Sequence, residues 1–204
     1  MQIAWFGLSF GSYGILTWIN SLFVEVHLND IYWNTLLFAI ANLPGNIFTG
    51  VYMDIIGRRS MLSYSILLSA LSLLVFAYFA GSHSQIRALG IVASACIFQA
   101  CSVSAWNAID ALSSESFPTL LRSTGMGVCA ASGRIGSLVA QYVNASLVGN
   151  PVAVLLIASM ALLGGAVVPC FLPGEDWSMR PLEDKVIAQQ REPTTHIDID
   201  TEIQ

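Results

Sequence analysis

Apolar residues fill six long runs of this chain, near 2–24, 32–53, 61–80, 86–112, 123–148 and 151–172, with short polar breaks between them. Each run reaches or exceeds the roughly 20 residues a helix needs to cross a bilayer core of about 30 Å. A surface helix of a soluble protein carries a charged face opposite its apolar stripe, and these runs lack one. Charged residues are instead collected in the breaks and in the last thirty or so positions. The pattern predicts an all-α membrane protein with six transmembrane helices in one bundle, followed by a polar tail at 173–204. The first run has no basic leader, is too long for a signal-peptide core and lacks a small-residue cleavage site before Glu25, so it is expected to stay as a span.

Composition sharpens this picture. Hydrophobic residues make up 55% of the chain and charged ones 10%, so a solvated globular surface is excluded. The net charge of −5 comes largely from the tail, which holds eight of the thirteen acids, and it carries no signal for a nucleic-acid partner. Arg58, Arg59, Arg122, Arg180, Lys185 and Arg191 fall on one side of the six runs and only Arg87 on the other, which predicts a cytoplasmic first side and two cytoplasmic termini. The tail is expected to dock briefly around 177–186 and to be disordered beyond. Cys96, Cys101, Cys129 and Cys170 all lie within apolar runs without metal-ligand spacing, so reduced, packed thiols are expected. Asn144 and Ser146 form a glycosylation triplet at the end of a span, where its use is disfavoured.

The breaks carry the most specific signal. Gly50, Asp54, Gly57, Arg58 and Arg59 stand in a G-x-x-x-D-x-x-G-R-R spacing at the exit of the second span. Gly50 would let a neighbouring helix approach closely, and Gly57 would permit a tight turn into the third span. Asp54 can face a helix N-terminus, and the arginines can hold carboxylates or lipid head groups. A second block runs from Glu115 through Pro118, Thr119 and Arg122 to Gly125.

These two blocks resemble the loop motif and the E-x-[YF]-P-T-x-x-R-x-x-G stretch of the major facilitator superfamily of secondary transporters, in the order found in its second half. Leu172, Pro173, Arg180, Glu183 and Asp184 echo the ending after the last helix, although 174–177 departs from it. Gly125, Gly127, Gly133, Arg134 and Gly136 resemble the eleventh helix, and Phe10, Tyr13 and Gly14 the seventh, of the organic ion transporters and synaptic-vesicle-two-related proteins. The resemblance covers residues 1 to about 186 and implies helices seven to twelve, built as two three-helix inverted repeats at about 1–80 and 86–172. The chain is then expected to be a fragment or truncated half whose partner is a missing N-terminal six-helix half, with membrane lipid around both.

The resemblance also implies where a solute would bind. Tyr13 matches a cavity-facing tyrosine, Trp106 and Asn107 a cavity-lining aromatic region, and Arg134 the arginine that faces the cavity in organic anion carriers. Arginine at the middle of a span costs about 2.5–3.5 kcal/mol on insertion scales, so Arg134 requires a cavity or a partner on physical grounds alone. A structural Arg134 bound to a carboxylate or helix end is the competing reading. Asn46 replaces a lysine common in organic anion carriers, which weakens that specific assignment. Asn42 and Gln99 are further polar positions suited to interhelical hydrogen bonds. Asp110 offers either a proton-coupling carboxylate or one satisfied at the interface, while Glu25 is expected to be solvated.

The substrate-binding set is therefore Tyr13, Asn42, Asn46, Trp106 and Arg134, and the cytoplasmic set Gly50, Asp54, Gly57, Arg58, Arg59, Glu115 and Arg122. No nucleophile stands with a base and no loop suits a phosphate, so neither an enzyme, a cofactor nor a metal site is expected. The expected function is a secondary carrier of small organic solutes, with organic ions favoured. A non-transporting receptor or vesicle protein of the same fold is the alternative, and plasma membrane and vesicle membrane both remain open as locations. Orientation is directly measurable with single cysteines in a thiol-free background: position 84 should label from outside intact cells and position 60 only after permeabilisation. Labelling of position 60 from outside would invert the assignment.

Overall fold

The apolar runs fold as α-helix, the local structure in which a segment pairs its own backbone N–H and C=O groups. The structure is a computed structural model and describes residues 1–26, 30–81, 87–117, 120–147, 149–167 and 169. Cys170 and the tail at 173–204 lie outside the described residues. The helices are α1 (Gln2–Glu25), α2 (Ile31–Ile40), α3 (Asn42–Ile56), α4 (Arg58–Gly81), α5 (Arg87–Ser116), α6 (Arg122–Ser146) and α7 (Pro151–Val167). Because α2 and α3 form one broken rod over Ile31–Ile56, the described residues build six rods.

The break has a local cause that the hydropathy pattern does not display. Pro44 has no N–H to give to the carbonyl of Ile40, and its ring crowds that carbonyl. The helix interrupts at Ala41, and the Asn42 side chain donates to the carbonyl of Ala39 at 3.0 Å. Asn42 thus sits where backbone polarity is freed in the middle of an apolar rod. At the far end of α3 the chain reverses within one residue, Gly57, whose φ of 90° lies in the left-handed region and whose backbone is buried.

Three rods, Ile31–Ile56, Arg58–Gly81 and Arg87–Ser116, are long and apolar enough to cross a membrane by length and composition, and Pro151–Val167 is apolar but shorter within the described residues. The other two, α1 and α6, are diluted by polar side chains that serve the seam between them. Asn144 donates to the carbonyl of Gly14 at 3.0 Å, and Gln141 donates to Thr17 Oγ1 at 3.1 Å. Gln141 also accepts from Trp18 at 2.6 Å. Asn144, the acceptor position of the glycosylation triplet, is buried and its amide nitrogen is committed to this seam.

Packing divides the rods into two classes. α4 runs along α5 and α7, α1 lies against α6 and α7, and α3 lies against α5. Phe23, Phe76, Leu73, Ile66, Phe98 and Leu155 fill the centre. The outer faces of α4 and α7 are apolar and exposed, through Leu67, Leu71, Val75 and Tyr78 on one and Leu156 and Met160 on the other. α1, α3, α5 and α6 carry the polar groups.

Glycines set the closest approaches, at positions the motif alone did not identify. The approach expected at Gly50 is absent: a Cβ there meets nothing within 4 Å among the described residues. Gly45 makes it instead, against the backbone carbonyl of Ala100 on α5. Five residues separate the two glycines, about 140° of helical turn, so they cannot both face α5. On α6, a Cβ at Gly136 would lie 2.6 Å from the carbonyl oxygen of Phe6, and one at Gly133 would lie 2.6 Å from Ser9 Oγ. Gly45→Ala and Gly136→Ala should each destabilise the protein by about 1–3 kcal/mol, because a backbone neighbour cannot rotate away. Gly50→Ala should be close to neutral. Thermal unfolding of the purified variants in detergent reads this directly, and equal midpoints for Gly50→Ala and Gly136→Ala would refute the packing argument.

Candidate functional site

One face of the bundle, built by α1, the α2–α3 break and α5, holds a hollow of about 280 Å³. That is close to the roughly 300 Å³ at which small-molecule sites begin. Tyr13, Asn42 and Trp106 all line it, together with Ser12, Gln99 and Ser102. Trp106 is fixed at its polar edge, where its indole N–H donates to Ser12 Oγ at 3.0 Å. Ser12 in turn donates to the carbonyl of Leu8 at 2.6 Å. The Trp106 ring meets Tyr13 at 5.3 Å between centroids and Trp5 edge-on at 5.6 Å. Such aromatic pairs contribute about 0.5–1.5 kcal/mol beyond burial and hold the rings in one orientation.

Amides make the second wall. Gln99 donates to Asn42 Oδ1 at 2.8 Å, joining α5 to the break. Asn46 donates to the main-chain carbonyl of Asn42 at 3.1 Å, and Asn107 donates to Asn46 Oδ1 at 2.9 Å. Asn46 therefore stands one hydrogen bond behind the hollow rather than among its lining residues. The run Gln99–Asn42–Asn46–Asn107 ties α3 to α5 beside the Gly45–Ala100 approach.

Arg134 projects from α6 between Gly133 and Gly136, both turned into the α1 seam, and its own side is exposed. Its guanidinium carbon lies 6.0 Å from the centroid of the Tyr13 ring, at the outer limit for a cation–π contact. Among the described residues no carboxylate lies within ion-pair distance of Arg134. Of the structural alternative, an arginine bound to a carboxylate or helix end, the carboxylate is not found among the described residues.

The opposite requirement, charges that do meet, is filled at the end of the bundle where α3, α4 and α5 come together. Arg58 contacts Asp54 at 2.9 Å and Glu115 at 3.0 Å. The Arg58 Nε–H is not directed at an acceptor, so its contact with Glu115 is ionic rather than a formed hydrogen bond. Arg59 takes a different direction and donates from Nε to the carbonyl of Pro169, just beyond α7, at 2.5 Å. Asp54 faces Arg58 at the start of α4, and Arg122 is exposed at the start of α6 without an ion pair among the described residues. Asp110 and Glu25 are exposed, likewise with no ion pair among those residues.

Three contributors escaped the sequence reading. Trp5 braces Trp106 and donates its indole N–H to Ser113 at 2.9 Å, and Ser12 anchors Trp106. Gln141 serves three groups of α1. A polar or aromatic side chain inside an apolar run was the available signal, but it does not say which helix the group faces.

Comparison with known proteins follows the same outline. The Major Facilitator Superfamily family model matches residues 3–195. The chain is 35% identical over 167 residues to synaptic vesicle glycoprotein 2B of Rattus norvegicus, covering 76% of this chain and 24% of that protein. It is 35% identical over 144 residues both to synaptic vesicle glycoprotein 2C of Mus musculus and to 2A of Rattus norvegicus, covering 70% of this chain and 19% of each relative. The matched region thus spans about a quarter or less of the length of these curated relatives. With nearly the whole chain under the family model, this is a multi-pass membrane protein of the Major Facilitator Superfamily.

Proposed function

We propose that the chain is the second six-helix half of a secondary carrier for small organic solutes, and that the hollow beside Tyr13, Asn42 and Trp106 is its share of the solute site. The observation that carries this reading is the convergence of three elements, α1, the α2–α3 break and α5, on one hollow with Arg134 directed toward the same tyrosine. Broken helices beside a polar hollow are how carriers of this kind place binding groups near the bilayer midplane. The other wall would come from a first half that lies in the longer protein. The proposed residues are Tyr13, Asn42, Asn46, Trp106 and Arg134, with Gly50, Asp54, Gly57, Arg58, Arg59, Glu115 and Arg122 at a cytoplasmic gate.

Two inverted three-helix repeats give this half its architecture in the proposal. Exchanging α1 with α5, the α2–α3 rod with α6, and α4 with α7 carries each main helix contact onto another. The α1–α6 contact becomes α5–α3, α4–α5 becomes α7–α1, and α4–α7 returns to itself. Rocking of this half against the first would then alternate access to the site. Arg58 paired with Glu115 would hold the cytoplasmic face closed.

A second reading is favoured by the way the hollow satisfies itself: Asn42 is bonded to Gln99 and Trp106 to Ser12. A non-transporting membrane receptor or vesicle protein of the same fold would need no more than this. The relatives' names speak of the synaptic vesicle and of no solute.

Uptake by the full-length protein in liposomes, measured with a panel of organic anions and cations, separates the readings. Saturable uptake of an organic anion is expected, and Arg134→Ala should lower it about tenfold, the scale of an interaction of about 1.4 kcal/mol. Arg134→Lys should retain part of it, with both variants expressed normally. Unchanged anion uptake by well-expressed Arg134→Ala would end the role given to Arg134, and no saturable flux for any solute would favour the second reading.

The gate has its own test. Asp54 and Glu115 are well exposed, so the Arg58–Glu115 coupling should be modest, about 0.2–1 kcal/mol. A double-mutant cycle with Arg58→Gln and Glu115→Gln, read as the shift between inward- and outward-facing labelling, should return a coupling of that size. Additive effects would remove the clamp.

A further inference from the structure

The larger hollow lies elsewhere, about 380 Å³ in a wedge between α3 and α4 whose floor is α5. The two helices that form its sides are joined by the single residue Gly57, yet they touch only slightly, because each packs on α5 instead. Pro44 and Phe48 line it from α3, Tyr64 and Leu68 from α4, and Cys101 and Ser104 from α5. Among the described residues no charged side chain lines it. The Ser104 hydroxyl is already committed within the fold, 3.0 Å from the carbonyl oxygens of both Gly45 and Ala100.

The geometry points to this wedge as a binding groove for one acyl chain of a membrane phospholipid. Its direction decides the occupant. Phe48 and Pro44 each lie two residues from Asn46, about 200° of helical turn away, so the wedge opens on the side of α3 opposite the amide wall. A solute or partner half drawn to Asn42, Asn46 and Arg134 approaches from that other side. The wedge instead runs into the exposed apolar face of α4, since Tyr64 and Leu68 belong to both the groove and the surface that continues through Leu71 and Val75. A chain of this family lies in a bilayer, so the medium at that surface is hydrocarbon. From Pro44 to Ile56 the groove follows α3 for about 18 Å, the reach of a long acyl chain into one leaflet. Dispersion contacts to such a chain replace those that an empty wedge forfeits.

The test uses the full chain in phosphatidylcholine vesicles doped with a phosphatidylcholine that carries a diazirine on its acyl chain. After photolysis, peptide mass spectrometry maps the adducts. Tyr64, Leu68 and Cys101 should be labelled several-fold above Leu71, Val75 and Tyr78, which lie on the plain outer face of α4. Cys101→Phe, filling the groove from its floor, and Ser65→Leu, from its side, should each bring groove labelling down to the outer-face level without changing labelling at Leu71–Tyr78. Even labelling along α4 in the wild-type chain would overturn the groove, and that comparison stands without either variant. Retained excess labelling in both filled variants would overturn it too. So would loss of the groove adducts alone when the rest of the protein is co-reconstituted, since protein rather than lipid would then cover the wedge.

Discussion

A polar group carried into hydrocarbon must find its partner inside the protein, because lipid offers none. Much of this bundle can be read as the consequence. The carbonyl of Gly14 is met by Asn144, that of Tyr13 by Gln141, and that of Gly45 by Ser104. Each of these bonds joins two helices. Each also requires the backbones to come close, which is why Gly14, Gly133 and Gly136 line the α1–α6 seam and Gly45 the α3–α5 contact. Closeness and polarity are therefore one design: small residues bring the carbonyls within reach, and amides or hydroxyls across the seam satisfy them.

The division of labour among the helices follows. Beyond Arg58 and Arg59, α4 and α7 make few interhelical polar bonds among the described residues, and they present Leu, Val and Met outward. α1, α3, α5 and α6 carry amides and indoles in their seams and around the hollow, and α6 carries the one mid-span arginine on an exposed side. At the hollow Asn42, beside the α2–α3 break, donates to the carbonyl of Ala39 and supplies the acceptor for Gln99. The candidate site is thus an extension of the packing chemistry rather than an addition to it. Arg134 is the exception: Tyr13 gives it a weak aromatic contact, and its side is left exposed on the surface of the bundle.

At the end that carries the two arginines, neighbouring identical side chains do different things. Arg58 gathers Asp54 and Glu115, while Arg59 turns to the carbonyl of Pro169 beyond α7. Cations near a helix C-terminus are favoured by the helix dipole, and a guanidinium can hold its last carbonyls directly. The turn at Gly57 consequently binds α3, α4, α5 and the end of α7 together. That anchoring leaves α3 and α4 splayed apart, with α5 as the surface both share.

The sequence by itself determined the six apolar runs, the turn at Gly57 and the meeting of basic and acidic residues at one end, because hydropathy, backbone freedom and motif spacing are properties of one stretch of chain. It also singled out Tyr13, Asn42, Trp106 and Arg134, since a polar, bulky or charged group in an apolar run stands out against its neighbours. Pro44 was equally visible as the cause of the break, but a continuous hydropathy signal concealed it. Only the tertiary structure decided which glycine makes contact, Gly45 rather than Gly50, and that Asn46 stands behind the hollow while Ser12 and Trp5 secure Trp106. Those outcomes depend on how far each helix is rotated about its axis and on what faces it. That rotation is fixed by the summed packing of all the neighbours, which no single stretch of sequence contains.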